Sequence, residues 1–300
     1  MSTIHGIIAY PVTPFAPGDT TTVDTAALTA LVERLVAAGV HAIAPLGSTG
    51  EAAYLTEREY DLVVDTTVAA VGGRVPVVVG ASDLTTATTI RRAQYAERAG
   101  ADAVMVVPVS YWKLSDREVV QHYRSVADAI GLPLMAYNNP ATSGIDMSPE
   151  LLVSMFRDID NLTMVKESTG DLGRMLAIRE LSEGELPYYN GSNPLVLDAL
   201  VNGATGWCTA AACLAPRSCL DLYAAVREGD HEAAAAHYRD LGPLLRFIVA
   251  GGLPITVKAG LDLLGEATGD PRPPLLPLVE ADRNRLRDML AGLGATGIAH

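Results

Sequence analysis

Lysine is nearly missing from this chain: of 22 basic residues, 19 are Arg and only Lys113, Lys166 and Lys258 are Lys. A guanidinium stays protonated and cannot attack a carbonyl, whereas an amine that sheds its proton can. Each of the three lysines is therefore a candidate for chemistry. Positive charge of any kind is scarce, with a formal net charge of -13 and no basic run. Nucleic acid and anionic membrane surfaces find nothing to hold them, and neither is expected as a partner. Cysteine is limited to Cys208, Cys213 and Cys219, an odd number without CxxC spacing, which excludes a disulfide framework and a zinc ribbon. The six His are scattered without an HxH or HExxH pair, so no metal is expected. Every long apolar stretch is interrupted by charge or by Gly and Pro, and residues 1–11 lack a basic segment ahead of an apolar one. A cytoplasmic protein is the expectation.

What is present is 49% apolar residues against 19% charged ones over 300 positions, enough to bury a large core. Apolar β-rich runs at 6–12, 41–45, 75–79, 103–107, 134–137, 163–166, 188–190 and 206–209 alternate with helical patterns such as Thr25–Ala38 and Thr86–Ala99. Asp24, Thr56, Ser115 and Ser148 stand where helix N-caps belong. Three junctions, 38–42, 99–103 and 202–206, read alike as helix end, Gly, then strand. Eight βα units with near-continuously apolar strands predict an α/β fold, a (β/α)8 TIM barrel over residues 1–228. Beyond Glu228 the strand signal stops, and helical patterns at 231–250, 254–264 and 280–293 predict a C-terminal helical appendage over 229–300.

In such a barrel the C-terminal ends of all strands open on one face, so residues distant in sequence meet there. Lys166 ends the apolar run 162–165, where apolar walls disfavour an ammonium, as imine formation requires. A strand-end Lys paired with Glu167 fits the same position. The sequence GSTG at 47–50 offers hydroxyls and backbone N–H groups for a carboxylate, or simply makes a tight turn. Tyr137 could pass protons through its phenol, or could be a buried aromatic at a strand end. Lys113 falls in a loop and Lys258 in the helical appendage, where solvated or structural roles are expected.

Taken together, GSTGE at 47–51, YNNPATSG at 137–144, VKEST at 165–169 and NG at 190–191 resemble the dihydrodipicolinate synthase and N-acetylneuraminate lyase superfamily, in order and at suitable spacing. The resemblance spans the chain and implies a class I lyase that needs no metal or organic cofactor, assembled as a homotetramer of two tight dimers. It implies that Lys166 forms a Schiff base with a 2-keto acid, that Tyr137 shuttles protons, and that Ser48 and Thr49 hold the keto-acid carboxylate, with Ser48 also relaying protons. Tyr111 matches the tyrosine that reaches a neighbouring subunit's site, although its spacing from Pro108 is one residue longer than the usual pattern. Thr142, Ser168, Gly191 and Asn193 fall at substrate-binding positions.

Two departures bear on the substrate. Where dihydrodipicolinate synthases carry an Arg that grips the carboxylate of aspartate semialdehyde, this chain has Thr142. Where sialic-acid lyases carry an acidic pair for sugar hydroxyls, it has Asn193 and Pro194. The resemblance then points to pyruvate or a small 2-keto acid, such as a 2-keto-3-deoxy sugar acid or hydroxypyrroline carboxylate. Dihydrodipicolinate (4-hydroxy-tetrahydrodipicolinate) synthase, condensing pyruvate with aspartate semialdehyde, is the alternative reaction. A non-catalytic keto-acid-binding barrel and a metal-dependent aldolase are readings of other classes.

Overall fold

The computed structural model describes residues 4–294. Ten strands occur among the described residues: β1 (Gly6–Ala9), β2 (Phe15–Ala16), β3 (Asp19–Val23), β4 (Ala42–Ile43), β5 (Val78–Gly80), β6 (Ala103–Val106), β7 (Leu134–Asn138), β8 (Leu162–Glu167), β9 (Tyr188–Asn190) and β10 (Gly206–Thr209). Eight of them, all but β2 and β3, are parallel, and helices follow them in sequence. The fold is the (β/α)8 barrel with C-terminal helices that the alternation of strand and helix patterns predicts.

Two compact units can be distinguished. One, residues 4–5 with 76–208, carries the run β5 to β10, in which each strand pairs parallel with the next. The other, Gly6–Val75 with 209–294, carries the parallel pair β1 and β4, the antiparallel hairpin β2–β3, and the helices His231–Gly251, Leu253–Leu263 and Glu280–Gly292. The strands β5, β6 and β7 are buried at every position, as parallel strands covered on both faces must be.

The local signals explain the boundaries. Thr25–Ala38 and Thr86–Ala99 are helices over the expected spans. Asp24 accepts from the Ala27 N–H, Ser148 accepts from the Leu151 N–H, and Thr56 and Ser115 each close a reciprocal capping box with Glu59 and Glu118. At the repeated junctions Gly39, Gly100 and Gly203 have φ of 95°, 96° and 96°, the left-handed conformation that ends a helix without a Cβ clash. The run at 75–79 becomes a strand only from Val78: Pro76 has no N–H to give a ladder, and the Val77 N–H goes to Asp102 Oδ2. The run at 6–12 stops at Ala9, short of Pro11.

The hairpin β2–β3 is a feature the sequence reading lacks. Its turn is the Pro17-Gly18 dipeptide, with Gly18 at φ 73°, but its second strand, DTTTV, alternates no apolar residues and buries only Val23. Cys208, Cys213 and Cys219 are buried free thiols. Burial pushes the Cys213 thiol up to about 12 and raises Cys219 as well, so neither offers a thiolate near neutrality. Among the described residues no helix is long and apolar enough to cross a membrane.

Candidate active site

Strand register brings the first two candidates together. Tyr137 on β7 pairs with Lys166 on β8, and the next pair along is Asn138 with Glu167. Successive side chains on a strand point to opposite faces, so Lys166 and Tyr137 share one face while Glu167 and Asn138 share the other. Lys166 is 6% exposed and Tyr137 3%, and the Lys166 Nζ stands 3.8 Å from the centre of the Tyr137 ring. A cation at that nitrogen, ammonium or iminium, faces the negative side of the ring quadrupole.

Glu167 is committed on the opposite face. Its carboxylate is fully buried, its Oε1 accepts from the Thr169 N–H at 2.7 Å, and its Oε2 accepts from Asn138 Nδ2 at 3.0 Å. Arg174 Nε lies 3.5 Å from the same Oε2. The backbone carbonyl of Glu167 accepts from the Gly191 N–H at 2.8 Å, and Asn138 O accepts from the Ser168 N–H at 3.0 Å. The sequence offers Glu167 as a partner for Lys166, but these bonds give the carboxylate a structural task instead.

The phenol oxygen of Tyr137 accepts from Asn139 Nδ2 at 2.7 Å. With that lone pair engaged, the phenol keeps its own hydrogen to donate, which is the state a proton carrier needs at the start of a cycle. Ser168 Oγ is buried without a hydrogen-bond partner, and such an atom costs free energy until something arrives to pair with it. Gly191, at the end of β9, closes the group. A Cβ there would fall 1.8 Å from Ser168 Oγ and 2.9 Å from Lys166 Cε. Lys166, Tyr137, Ser168 and Gly191 thus form one cluster at the ends of β7, β8 and β9.

The remaining candidates in this unit are Asn193, Thr142 and Tyr111. Asn193 is buried, and its Oδ1 accepts from the indole N–H of Trp207 at 3.2 Å, a bond within the fold. Thr142 sits exposed on the short helix Pro140–Ser143. Tyr111 is 95% exposed, and its neighbour Trp112 is exposed as well.

Ser48 and Thr49 lie in the other unit, in a turn with its own internal logic. Leu46 and Glu51 bracket it at φ of 63° and 56°, a conformation non-glycine residues seldom adopt. Gly50 N–H donates to Gly47 O at 3.0 Å, and Thr13 Oγ1 donates to Gly50 O at 2.7 Å. Thr49 is buried and Ser48 half-buried.

The strain at Glu51 is offset by its carboxylate. Oε1 forms an ion pair with Lys258 Nζ at 2.7 Å, and Oε2 accepts from the Arg272 N–H at 2.7 Å. Lys258 is 2% exposed, also donates to Asp270 O at 3.1 Å, and lies 4.0 Å from the Phe15 ring centre. Burial lowers its pKa, and Glu51 opposes that shift. Arg272 grips Glu59 with two bonds of 2.6 and 2.9 Å, and this holds the Glu59 carboxyl at about 2. The structural role of Lys258 was among the sequence expectations; those of Glu51, Glu59 and Arg272 were not, and nothing short of contacts 200 residues apart in sequence would reveal them.

Among the described residues no group of three or more His, Cys, Asp or Glu gathers as a metal site. The packing at Gly191 supplies a direct test. Gly191→Ala is expected to displace Lys166 and Ser168 and to lower turnover on the order of 10²-fold, as misplacement of a reacting group by about 1 Å does. Adding Ser168→Gly removes the worst clash and should recover part of the loss. Unchanged steady-state kinetics for the single variant would contradict the packing.

Comparison with known proteins follows the same lines. The model of the dihydrodipicolinate synthetase family matches residues 3–293. A crystal structure from Pseudomonas aeruginosa, provisionally named a dihydrodipicolinate synthetase, is 56% identical with a TM-score of 0.95, covering 97% of this chain and 100% of that one. The chloride-inhibited dihydrodipicolinate synthase of Acinetobacter baumannii, solved with pyruvate, is 31% identical with a TM-score of 0.92, covering 98% of this chain and 100% of its own. The 4-hydroxy-tetrahydrodipicolinate synthase of Methylobacterium radiotolerans is 36% identical over 293 residues, 98% of this chain and 97% of that protein. The chain belongs to the dihydrodipicolinate synthetase family.

Proposed function

We propose that this enzyme opens its reaction by condensing Lys166 with the 2-keto carbon of pyruvate or a small 2-keto acid. The observation that carries the reading is the buried Lys166 amine 3.8 Å from the Tyr137 ring, with the phenol oxygen accepting from Asn139. Nζ attacks the carbonyl carbon to give a carbinolamine, whose hydroxyl leaves as water on taking the Tyr137 proton. The resulting iminium withdraws electrons from the adjacent carbon, whose proton passes to the Tyr137 phenolate as the enamine forms, restoring the phenol. The positive charge of the iminium lies against the Tyr137 ring, where it gains the attraction of a cation–π contact in a desolvated place. Ser168 Oγ, buried and unpaired, is suited to bond a substrate oxygen. The family motif assigns the keto-acid carboxylate to Ser48 and Thr49.

The second step separates two readings. Relatives named 4-hydroxy-tetrahydrodipicolinate synthase, at 33–36% identity, favour condensation with a second aldehyde-bearing acid. Thr142 favours a smaller or less charged partner, because the segment from Asn139 to Ile145 carries no cation for a second carboxylate. We place the enzyme in the cytoplasm and in a homotetramer. The exposure of Tyr111 and Trp112, at 95% and 78%, supports a subunit contact at that loop.

Lys166→Arg tests the first step, since it keeps the charge and removes the nucleophile. Turnover on pyruvate-dependent substrates should fall to background, and retained turnover would refute the imine. Thr142→Arg tests the second step. It is expected to raise kcat/KM for aspartate semialdehyde by roughly tenfold, the worth of a charge-assisted bond of about 1.4 kcal/mol. No gain would show that selection against that substrate lies elsewhere.

A further inference from the structure

Behind the cluster that carries Lys166 and Tyr137, on the opposite face of the same two strands, lies a second cluster with no part in the chemistry above. Asn138 and Glu167 are both fully buried there. Asn138 uses its whole carboxamide: Nδ2 donates to Glu167 Oε2 and to Asp146 Oδ1, each at 3.0 Å, and Oδ1 accepts from the Met147 N–H at 3.0 Å. Arg174, on the helix Leu172–Leu181, donates Nη2 to Asp146 Oδ1 at 2.9 Å and to Met147 O at 2.5 Å, and sets Nε 3.5 Å from Glu167 Oε2. One guanidinium thus serves two carboxylates, and the amide that donates to both is the side chain that follows Tyr137.

We infer that Arg174 is a positioning residue: through Glu167 and Asn138 it fixes the ends of β8 and β7, and with them the placement of Lys166 against Tyr137. The lever is short. Asn138 and Glu167 are the strand pair immediately after Tyr137 and Lys166, so a shift of either end along its strand changes the separation of amine and phenol directly. Two features show that the cluster sets geometry as well as filling space. Glu167 accepts hydrogen bonds from Thr169 and Asn138 and faces the Arg174 guanidinium as an ion pair, a set that an acceptor-only, charged side chain satisfies. The same cluster also ties both ends of the segment between Asn138 and Met147, which carries Asn139, the donor to the Tyr137 phenol. Removing the guanidinium leaves a buried carboxylate without its cation, and the strand ends must move to bring it water or a proton.

The inference rests on Lys166 and Tyr137 acting as proposed, and the Lys166→Arg result judges that reading separately. If Lys166→Arg retains turnover, the functional reading falls. If it is inactive, the Arg174 variants decide this one. Arg174→Met is expected to lower kcat by roughly tenfold or more while KM for the keto acid stays within about twofold, because placement of proton donor and amine suffers and not the carboxylate grip. Arg174→Lys, which keeps a cation, should recover kcat to within about threefold of the parent. Should Arg174→Met fail to fold, Asp146→Asn takes its place. It loosens the guanidinium at a half-exposed carboxylate and should lower kcat by roughly threefold at unchanged KM. A folded Arg174→Met with parental kcat, Met and Lys variants equally impaired, or Asp146→Asn with parental kcat would each overturn the inference.

Discussion

The account depends on one juxtaposition: an amine held out of water against the face of a tyrosine ring at the ends of two paired strands. Arginine supplies 19 of the chain's 22 basic residues, so a lysine here calls for a reason. At position 166 the proposed reason is that attack on a carbonyl needs a nitrogen with a lone pair. The partner ring serves in two ways. Its face meets whatever positive charge the nitrogen carries, and its hydroxyl, already accepting from Asn139, is left with a proton to give. The strand register that joins Tyr137 to Lys166 makes this geometry a property of the backbone rather than of side-chain chance.

Buried carboxylates organise the surroundings by the same physics. A carboxylate accepts and never donates, so when it is buried it gathers N–H groups and needs a cation. Glu167 gathers a backbone amide, an asparagine and an arginine behind the strand ends. Glu51 gathers Lys258 and a backbone amide beneath its own strained turn. In each case removing one partner costs more than the pair contributes, since a charge is then left buried alone. The chain's second buried lysine, Lys258, is thus explained without chemistry. Its amine sits between Glu51, Asp270 O and the Phe15 ring, where a flexible stem with a compact charge fits.

Much of this was legible in the sequence. Apolar runs of strand length, cap residues and the recurring Gly junction predict the βα series, because each reports a local backbone requirement. Lys166 and Tyr137 stood out because each ends an apolar strand within a motif that resembles the family's, although each also had a bland local reading. What escaped was set by partners remote in sequence. Nothing local to Asn138 says that its amide bridges two carboxylates, and nothing near Arg272 says that its N–H meets a side chain 221 positions earlier. The hairpin of β2 and β3 escaped because its threonine-rich strand has no buried face to give a period of two. The bond from the Trp207 indole to the Asn193 oxygen likewise becomes visible only once β10 is placed.

The central claim is covalent, and a covalent bond can be caught. Incubating the enzyme with pyruvate and borohydride, then mapping peptides by mass spectrometry, reads it directly. The account predicts a reduced pyruvyl adduct on the peptide bearing Lys166, and none on those bearing Lys113 or Lys258. An adduct on another lysine, or no adduct under conditions where substrate turns over, would contradict it.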